Sequence, residues 1–439
     1  MIRLFYEKDK ERLFTLLENR KVSSSNVIAA SVRRILSHVR KEGDRAVLEY
    51  TERFDKITLT ARQMRVTPQA LRSAAGKADP SLLREMEKAI FNINAYHRRQ
   101  VQKSWQFRKR GALLGQRVLP LDSVGVYIPG GSAAYPSTVL MNVIPAKIAG
   151  VPRIAAVTPP GTFQQYPIVA AALRELNVTE IYLAGGAQAV AALAYGTETI
   201  PRVDKIVGPG NAYVAAAKRE VYGEVDIDMI AGPSEVVIMS TAESNPRYIA
   251  ADMLSQAEHD QMACSICFTD SLPHAILIKG ELEKQLKELD RGDIARKSLE
   301  KYGAIVIMDS YHDYAPWVNE IAPEHLEIFS SIPVSAIDQI RHAGSIFYGD
   351  YTPEAVGDYF AGTNHVLPTT GTARFFSPLG VCHFQKKTGI VSYTKAELSH
   401  TWKSIDALAR AEGLDAHARS VAIRQESRLT GRKGGGAKP

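Results

Sequence analysis

From Ser123 onward the chain repeats one grammar: a short apolar run, a turn built on glycine or proline, then a helical pattern of ten or more residues. The first four runs, 124–128, 154–157, 181–184 and 205–207, lead into Pro129-Gly130-Gly131, Thr158-Pro159-Pro160-Gly161, Gly185-Gly186 and Gly208-Pro209-Gly210-Asn211. Parallel strands need crossovers of about this length, usually helical, so the pattern dictates a parallel sheet with helices on its faces. A second series follows Gly232-Pro233, with runs at 235–239, 265–269, 304–308, 325–329 and 345–348. The flanks read as mainly helical from residue 1 to about 120 (amphipathic at 26–39 and 80–100) and as helical again after about 381, as at 396–411. The expected fold is α/β: two facing doubly wound, incomplete Rossmann-like modules with helical N- and C-terminal extensions. The expected division is an N-terminal segment 1–25, a first α/β domain from 26–122 and 233–380, a second from 123–232, and a C-terminal segment 381–439. Gly434-Gly435-Gly436-Ala437-Lys438-Pro439 reads as a flexible end.

A chain of 439 residues has room for two such modules. Its formal charge of +7 raises the question of nucleic acid, but the charge is local. Residues 98–110 hold six basic side chains and no acid, and 419–439 hold six against Glu426 alone, so the remaining body is mildly acidic. No nucleic-acid-binding motif accompanies either patch. Three cysteines are too few for a disulfide framework. The first ten residues become charged before a signal-peptide core could form, and no uninterrupted apolar run reaches the roughly 18 residues of a membrane span. A soluble cytoplasmic protein without membrane or nucleic-acid partners is expected.

Four groups of residues could carry chemistry. Asn245 followed by Pro246 is a strong helix start, and Ile249, Met253 and Gln256 continue one stripe, with His259 a turn further on. Gln256 and His259 could ligate a metal, or the amide could simply be satisfied in a core. Glu324-His325, just before a strand, is either an acid–base pair tunable by burial or an ion pair at a strand edge. Gly357-Asp358-Tyr359 and Gly362-Thr363-Asn364-His365 suit a metal or substrate loop as well as ordinary turns. Glu412-Gly413-Leu414-Asp415-Ala416-His417 alone marks only a helix end and a helix start. Cys264 and Cys267 look like a Cys-x-x-Cys site, but residues three apart on a strand point to opposite faces, so they are expected to be buried separately. The glycine turns match neither the dinucleotide nor the P-loop fingerprint, although amides at a strand-to-helix turn can still cradle a pyrophosphate.

Taken in order, Val126-Tyr127-Ile128-Pro129-Gly130-Gly131, Gly185-Gly186-Ala187-Gln188-Ala189, Gly208-Pro209-Gly210-Asn211-Ala212 and Ala231-Gly232-Pro233-Ser234-Glu235 form half of a longer series. It continues with Ser255-Gln256-Ala257-Glu258-His259, Pro323-Glu324-His325, Gly362-Thr363-Asn364-His365 and Glu412-Gly413-Leu414-Asp415-Ala416-His417. From about residue 25 to 425 the chain resembles the histidinol dehydrogenase family. The resemblance implies oxidation of L-histidinol to L-histidine in two NAD-dependent steps through bound L-histidinaldehyde. It implies one zinc ion per subunit held by Gln256, His259, Asp358 and His417, with Glu324 and His325 as catalytic bases. Ser234, His365 and Glu412 would contact substrate together with His325 and the metal ligands, and Tyr127, Gln188 and Asn211 would contact NAD. The first α/β domain would carry bases and metal ligands and the second would bind NAD. The family forms an intertwined homodimer with shared active sites, so Glu412 and His417 would serve the partner. A ligand set of nitrogens and oxygens accepts manganese as well as zinc. The rival readings are a paralogous zinc and NAD dehydrogenase of another small polar alcohol, or a zinc hydrolase using Glu324 as base.

Overall fold

The computed structural model describes residues 2–22, 26–130 and 135–426. Its strands in chain order are β1 (Arg3–Tyr6), β2 (Trp105–Lys109), β3 (Ala112–Pro120), β4 (Ser123–Tyr127), β5 (Arg153–Thr158), β6 (Glu180–Leu183) and β7 (Lys205–Val207). They continue with β8 (Asp226–Ile227), β9 (Glu235–Met239), β10 (Cys264–Thr269), β11 (Ala304–Ile307), β12 (His325–Ile328), β13 (Ser345–Tyr348) and β14 (Gln385–Tyr393). Every run singled out between 124 and 348 is a strand, displaced by at most one residue at an end. The chain divides into two compact units, Met1–Val101 with Pro120–Phe384, and Gln102–Leu119 with Gln385–Pro439.

The first unit holds two wholly parallel sheets. One has the order β6-β5-β4-β7-β8. The chain winds outward from β4 to β6 and returns to lay β7 on the other side of β4, which puts a switch point between the carboxyl ends of β4 and β7. Gly208, directly after β7, has φ +110, and a Cβ there would overlap the carbonyl oxygen of Tyr127. Only glycine lets the two strand ends approach so closely.

The second sheet has the order β1-β11-β10-β9-β12-β13. Its central strands β9, β10 and β12 are buried throughout, so they read as continuous apolar runs instead of alternating ones. Val237, Ile266 and Leu326 pack on one face, and Val236, Cys267 and Ile305 on the other. Cys264 lies in the first set and Cys267 in the second, so the two thiols part to opposite faces as strand geometry requires.

Residues 26–97 are helical, but they cover the five-stranded sheet. Val32, Ile35 and Val39 pack with Val190 and Leu193, while Leu71, Met86 and Ile93 pack with Val139 and Val143. Each such side chain contributes roughly 1.5–3 kcal/mol by leaving water. Helical periodicity shows that a face is buried without showing which sheet buries it, and the same helices also reach 233–380, where Asn92 Nδ2 donates to the carbonyl of Phe360.

The mainly helical flanks also hold strands at three places. β1 is an edge strand of the six-stranded sheet, with Phe5 buried. In the second unit β2 and β3 form an antiparallel hairpin closed at Arg110-Gly111, with Arg110 at φ 53, and β14 lies beside β3. Trp105 and Phe107 alternate with Gln106 and Arg108, a two-residue period, and β14 carries Ile390-Val391. The second unit also contains the helices Lys395–Ala411, capped by Thr394, and Asp415–Glu426. The tail 434–439 and Gly131 lie outside the described residues. Among those residues no helix is long and apolar enough to cross a membrane.

Candidate active site

The site grows from the amino ends of β9 and β12, neighbours in the six-stranded sheet. Ala322, left-handed at φ 52, ends the helix Tyr314–Ile321, and the chain then enters β12 with Glu324 and His325 buried. Glu324 Oε2 accepts a hydrogen bond from the N–H of Glu235 at 3.0 Å. His325 Nδ1 stands 3.3 Å from the carbonyl oxygen of the same Glu235. A carbonyl only accepts, so this contact places a proton on Nδ1. His325 Nε2 faces Asp358 Oδ1 at 3.4 Å. Burial pushes the Glu324 carboxyl up to about 8. Burial alone would lower His325, but the carboxyl groups of Glu324, Asp358 and Glu354 outweigh it and raise the imidazole to about 10.

Asp358 sits on one turn of π-helix, Gly357–Ala361, a widened turn common at functional sites. A Cβ on Gly357 would press on the Phe347 ring, which packs against the His325 ring at 5.8 Å between centroids. Asn92 Nδ2 ties this turn down through the carbonyl of Phe360 at 2.9 Å. The Asp358 carbonyl lies 3.2 Å from His365 Nδ1. Burial, which alone would raise Asp358, is outweighed by His325, and its carboxyl titrates below the ordinary range.

The helix Pro246–Ala257 begins as the sequence requires, with Asn245 Oδ1 accepting from the N–H of Arg247 at 3.0 Å. Gln256 is buried near its end, and its Oε1 finds no hydrogen-bond partner among the described residues. A buried carbonyl oxygen without a donor is costly, and a cation would satisfy it. His259 follows just past the helix, solvent-exposed yet within electrostatic reach of Asp358 and His325. Gln256, His259 and Asp358 thus offer an amide oxygen, an imidazole and a carboxylate, a donor set that fits zinc. Among the described residues no group of three or more His, Cys, Asp or Glu is placed to hold a metal ion. Glu412 and His417 lie in the second unit, both exposed, at the turn joining its two helices and the start of the second.

On the five-stranded sheet the three expected NAD residues stand at or beyond strand carboxyl ends. Tyr127 ends β4, buried, with its hydroxyl accepting from the N–H of Gly186 at 2.9 Å. Gln188 is buried in the helix Gly186–Tyr195, and its Oε1 also lacks a partner among the described residues. Asn211 is exposed and caps the helix Ala212–Val221, its Oδ1 accepting from Tyr213 and Val214 at 3.0 and 3.2 Å. The sheets are joined near the site: Asn364 Nδ2, beside His365, donates at 2.7 Å to the carbonyl of Met141 in the helix that follows β4.

Glu354 and Arg20 had no part in the sequence argument, and Glu235 entered it only as the last residue of a motif and the first of a strand run. Glu354 places Oε2 3.8 Å from His325 Nδ1, with Oε1 held by Ser255 at 2.7 Å. Arg20 and Glu235 form a buried ion pair beneath Ser234. The available signal was an acid inside an apolar strand run, as at Glu235 and Glu327, because such a residue must find a partner.

A family model described as histidinol dehydrogenase matches residues 18–425. The histidinol dehydrogenase of Bacillus subtilis is 53% identical over 397 residues, 90% of this chain and 92% of that protein. That of Bacillus cereus is 50% identical over 427 residues, covering 96% and 99%. The crystal structure of histidinol dehydrogenase from Elizabethkingia anophelis superposes with a TM-score of 0.91 at 34% identity, covering 98% of this chain and 99% of that one. Paired parallel sheets with a buried acid–base pair belong here to an α/β oxidoreductase of the NAD-dependent class. Within that class, the chain belongs to the histidinol dehydrogenase family.

Proposed function

We propose that this protein oxidises L-histidinol to L-histidine through bound L-histidinaldehyde, using two NAD, as the last step of histidine biosynthesis in the cytoplasm. The observation that carries the reading is the Glu324–His325 pair, buried together and held by one residue, with Nε2 of the imidazole turned toward Asp358. Gln256, His259 and Asp358 would hold a zinc ion, completed by His417 of a second copy in a homodimer. Tyr127, Gln188 and Asn211 would line the NAD site, and Ser234, His365 and the second copy's Glu412 would contact histidinol. When bound, zinc orients an alcohol bearing an imidazole and an amine, and NAD accepts the hydride of each oxidation.

The chain's own residues account for the proton transfers. His325, its ring fixed by the Glu235 carbonyl and the Phe347 face, takes the alcohol proton in the first oxidation from its neutral form, which a cation held at Asp358 would favour by opposing the carboxylates that otherwise raise the imidazole. Glu324 activates the water that adds to the aldehyde carbon. Its raised pKa suits a base that must accept a proton and later release it. His325 then removes a proton from the hydrate for the second oxidation. Two bases of different strength, both shielded from bulk water, divide the work.

The division is testable. Glu324→Gln is expected to leave the first oxidation near its parental rate and to slow the second by about 10²- to 10⁴-fold. Stopped-flow absorbance of NADH, starting separately from histidinol and from histidinaldehyde, resolves the two. Equal loss in both would contradict the role of Glu324.

A further inference from the structure

We infer that Arg20 and Glu235 are positioning residues for the reaction, clamping the one residue whose backbone holds both catalytic bases. The inference rests on the reading of Glu324 and His325 as those bases.

Glu235 opens β9, and its main chain reaches both catalytic side chains. Its N–H donates to Glu324 Oε2 at 3.0 Å and its carbonyl faces His325 Nδ1 at 3.3 Å. A shift of Glu235 therefore moves the carboxylate and the imidazole together. Its own side chain is fixed at both oxygens. Oε1 accepts from the N–H of Thr370 at 2.9 Å, five residues beyond His365, and Oε2 receives Arg20 Nη1.

Arg20 comes from the helix Lys10–Val22, in the N-terminal segment that lies outside every motif of the sequence. All three of its guanidinium nitrogens are engaged. Nη2 donates to the carbonyls of Pro233 and Ser234, the latter at 2.7 Å, and Nε donates to the carbonyl of Met262 at 2.8 Å. One planar fork thus holds residues 233–235 and the strand entry at Met262, a geometry that lysine cannot reproduce. Ser234 lies inside the clamp, so the expected substrate contact is placed by the same fork. Both charges are buried, with side-chain exposures of 1% and 6%. The cost of desolvating two buried charges offsets much of their attraction, so the pair contributes placement more than stability. A misplacement of about 1 Å at reacting groups can cost about 100-fold in rate.

The test compares full-length parent, Arg20→Ala, Arg20→Lys and Glu235→Gln proteins, with far-UV circular dichroism and thermal unfolding as folding controls. A parent that makes no NADH from histidinol overturns the functional reading; with an active parent, the variants report on the clamp alone. Arg20→Ala is expected to lose about 10- to 100-fold in kcat while its KM for NAD stays within about two-fold. Added millimolar guanidinium is expected to restore several-fold of that loss. Arg20→Lys, which keeps charge without the fork, should fall between parent and Arg20→Ala. If Arg20→Ala does not fold, Arg20→Lys and Glu235→Gln carry the test, each expected to lose kcat about five-fold or more at unchanged KM for NAD. A folded variant with parental kcat overturns the inference. So does a loss matched by an equal rise in the KM for NAD, or one that guanidinium does not relieve.

Discussion

Behind His325 the sheet buries a row of acids. Glu354 Oε2 has no hydrogen-bond partner among the described residues, Glu327 Oε1 accepts from the N–H of Glu354 at 2.7 Å, and Asp252 lies within electrostatic reach of Glu327. Burial raises all three, Asp252 to about 6, Glu354 to about 7 and Glu327 well above the ordinary carboxyl value. Because the folded pKa of each exceeds its unfolded value, the folded protein keeps protons that the unfolded chain has released. That stabilisation is present at low pH and is lost as the pH rises through about 6 and about 7. Each tenfold change in an acid dissociation constant on folding is worth about 1.4 kcal/mol. Glu327→Gln, neutral at every pH, is expected to flatten the fall in unfolding free energy of metal-free protein over this range, as measured in urea. A pH dependence as steep as the parent's would contradict the cluster. The sequence made Gln256, His259, Glu324, His325 and Asp358 visible because each stands in a distinctive local pattern. It hid Arg20, Glu354 and the role of Glu235 because their partners lie far along the chain, 215 residues apart for Arg20 and Glu235.

At the scale of elements, the two sheets are used at opposite ends. Tyr127 ends β4, and the loop after β7 leads to Asn211, so the five-stranded sheet offers its carboxyl ends, where open α/β sheets bind ligands. The six-stranded sheet instead offers its amino ends, since Glu235 and His325 are the first residues of β9 and β12. There the N–H of Glu235 is spent on Glu324 Oε2, which ties the amino end of a central strand to the proposed acid–base pair. The strands of both sheets were legible because buried parallel strands form unbroken apolar runs between glycine and proline turns. The hairpin β2–β3 and strand β14 were not, because they are largely solvent-facing and carry no apolar run of that kind. β1 was overlooked because its few apolar residues sit beside a charged helix start.

At the scale of the whole molecule, the first unit assembles the proposed bases, the proposed metal-binding side chains Gln256 and His259 at and just past one helix end, and Asp358, while Glu412 and His417 belong to the second unit and are exposed. If the second copy supplies those two residues, inactive subunits should complement one another. Mixing His417→Ala subunits with subunits carrying both Glu324→Gln and His325→Ala is expected to regain some activity through hybrid sites, followed by NADH absorbance after unfolding and joint refolding. Heterodimers that form without activity would contradict the shared site. The modular layout was readable from the repeated strand–turn–helix grammar, whereas the division of contacts between units depends on packing that no local pattern encodes. The central claim, that one site carries both oxidations, is tested most directly by counting NADH per histidinol in the metal-loaded protein. The account predicts two NADH and L-histidine as the product; one NADH with histidinaldehyde released to solution would contradict it.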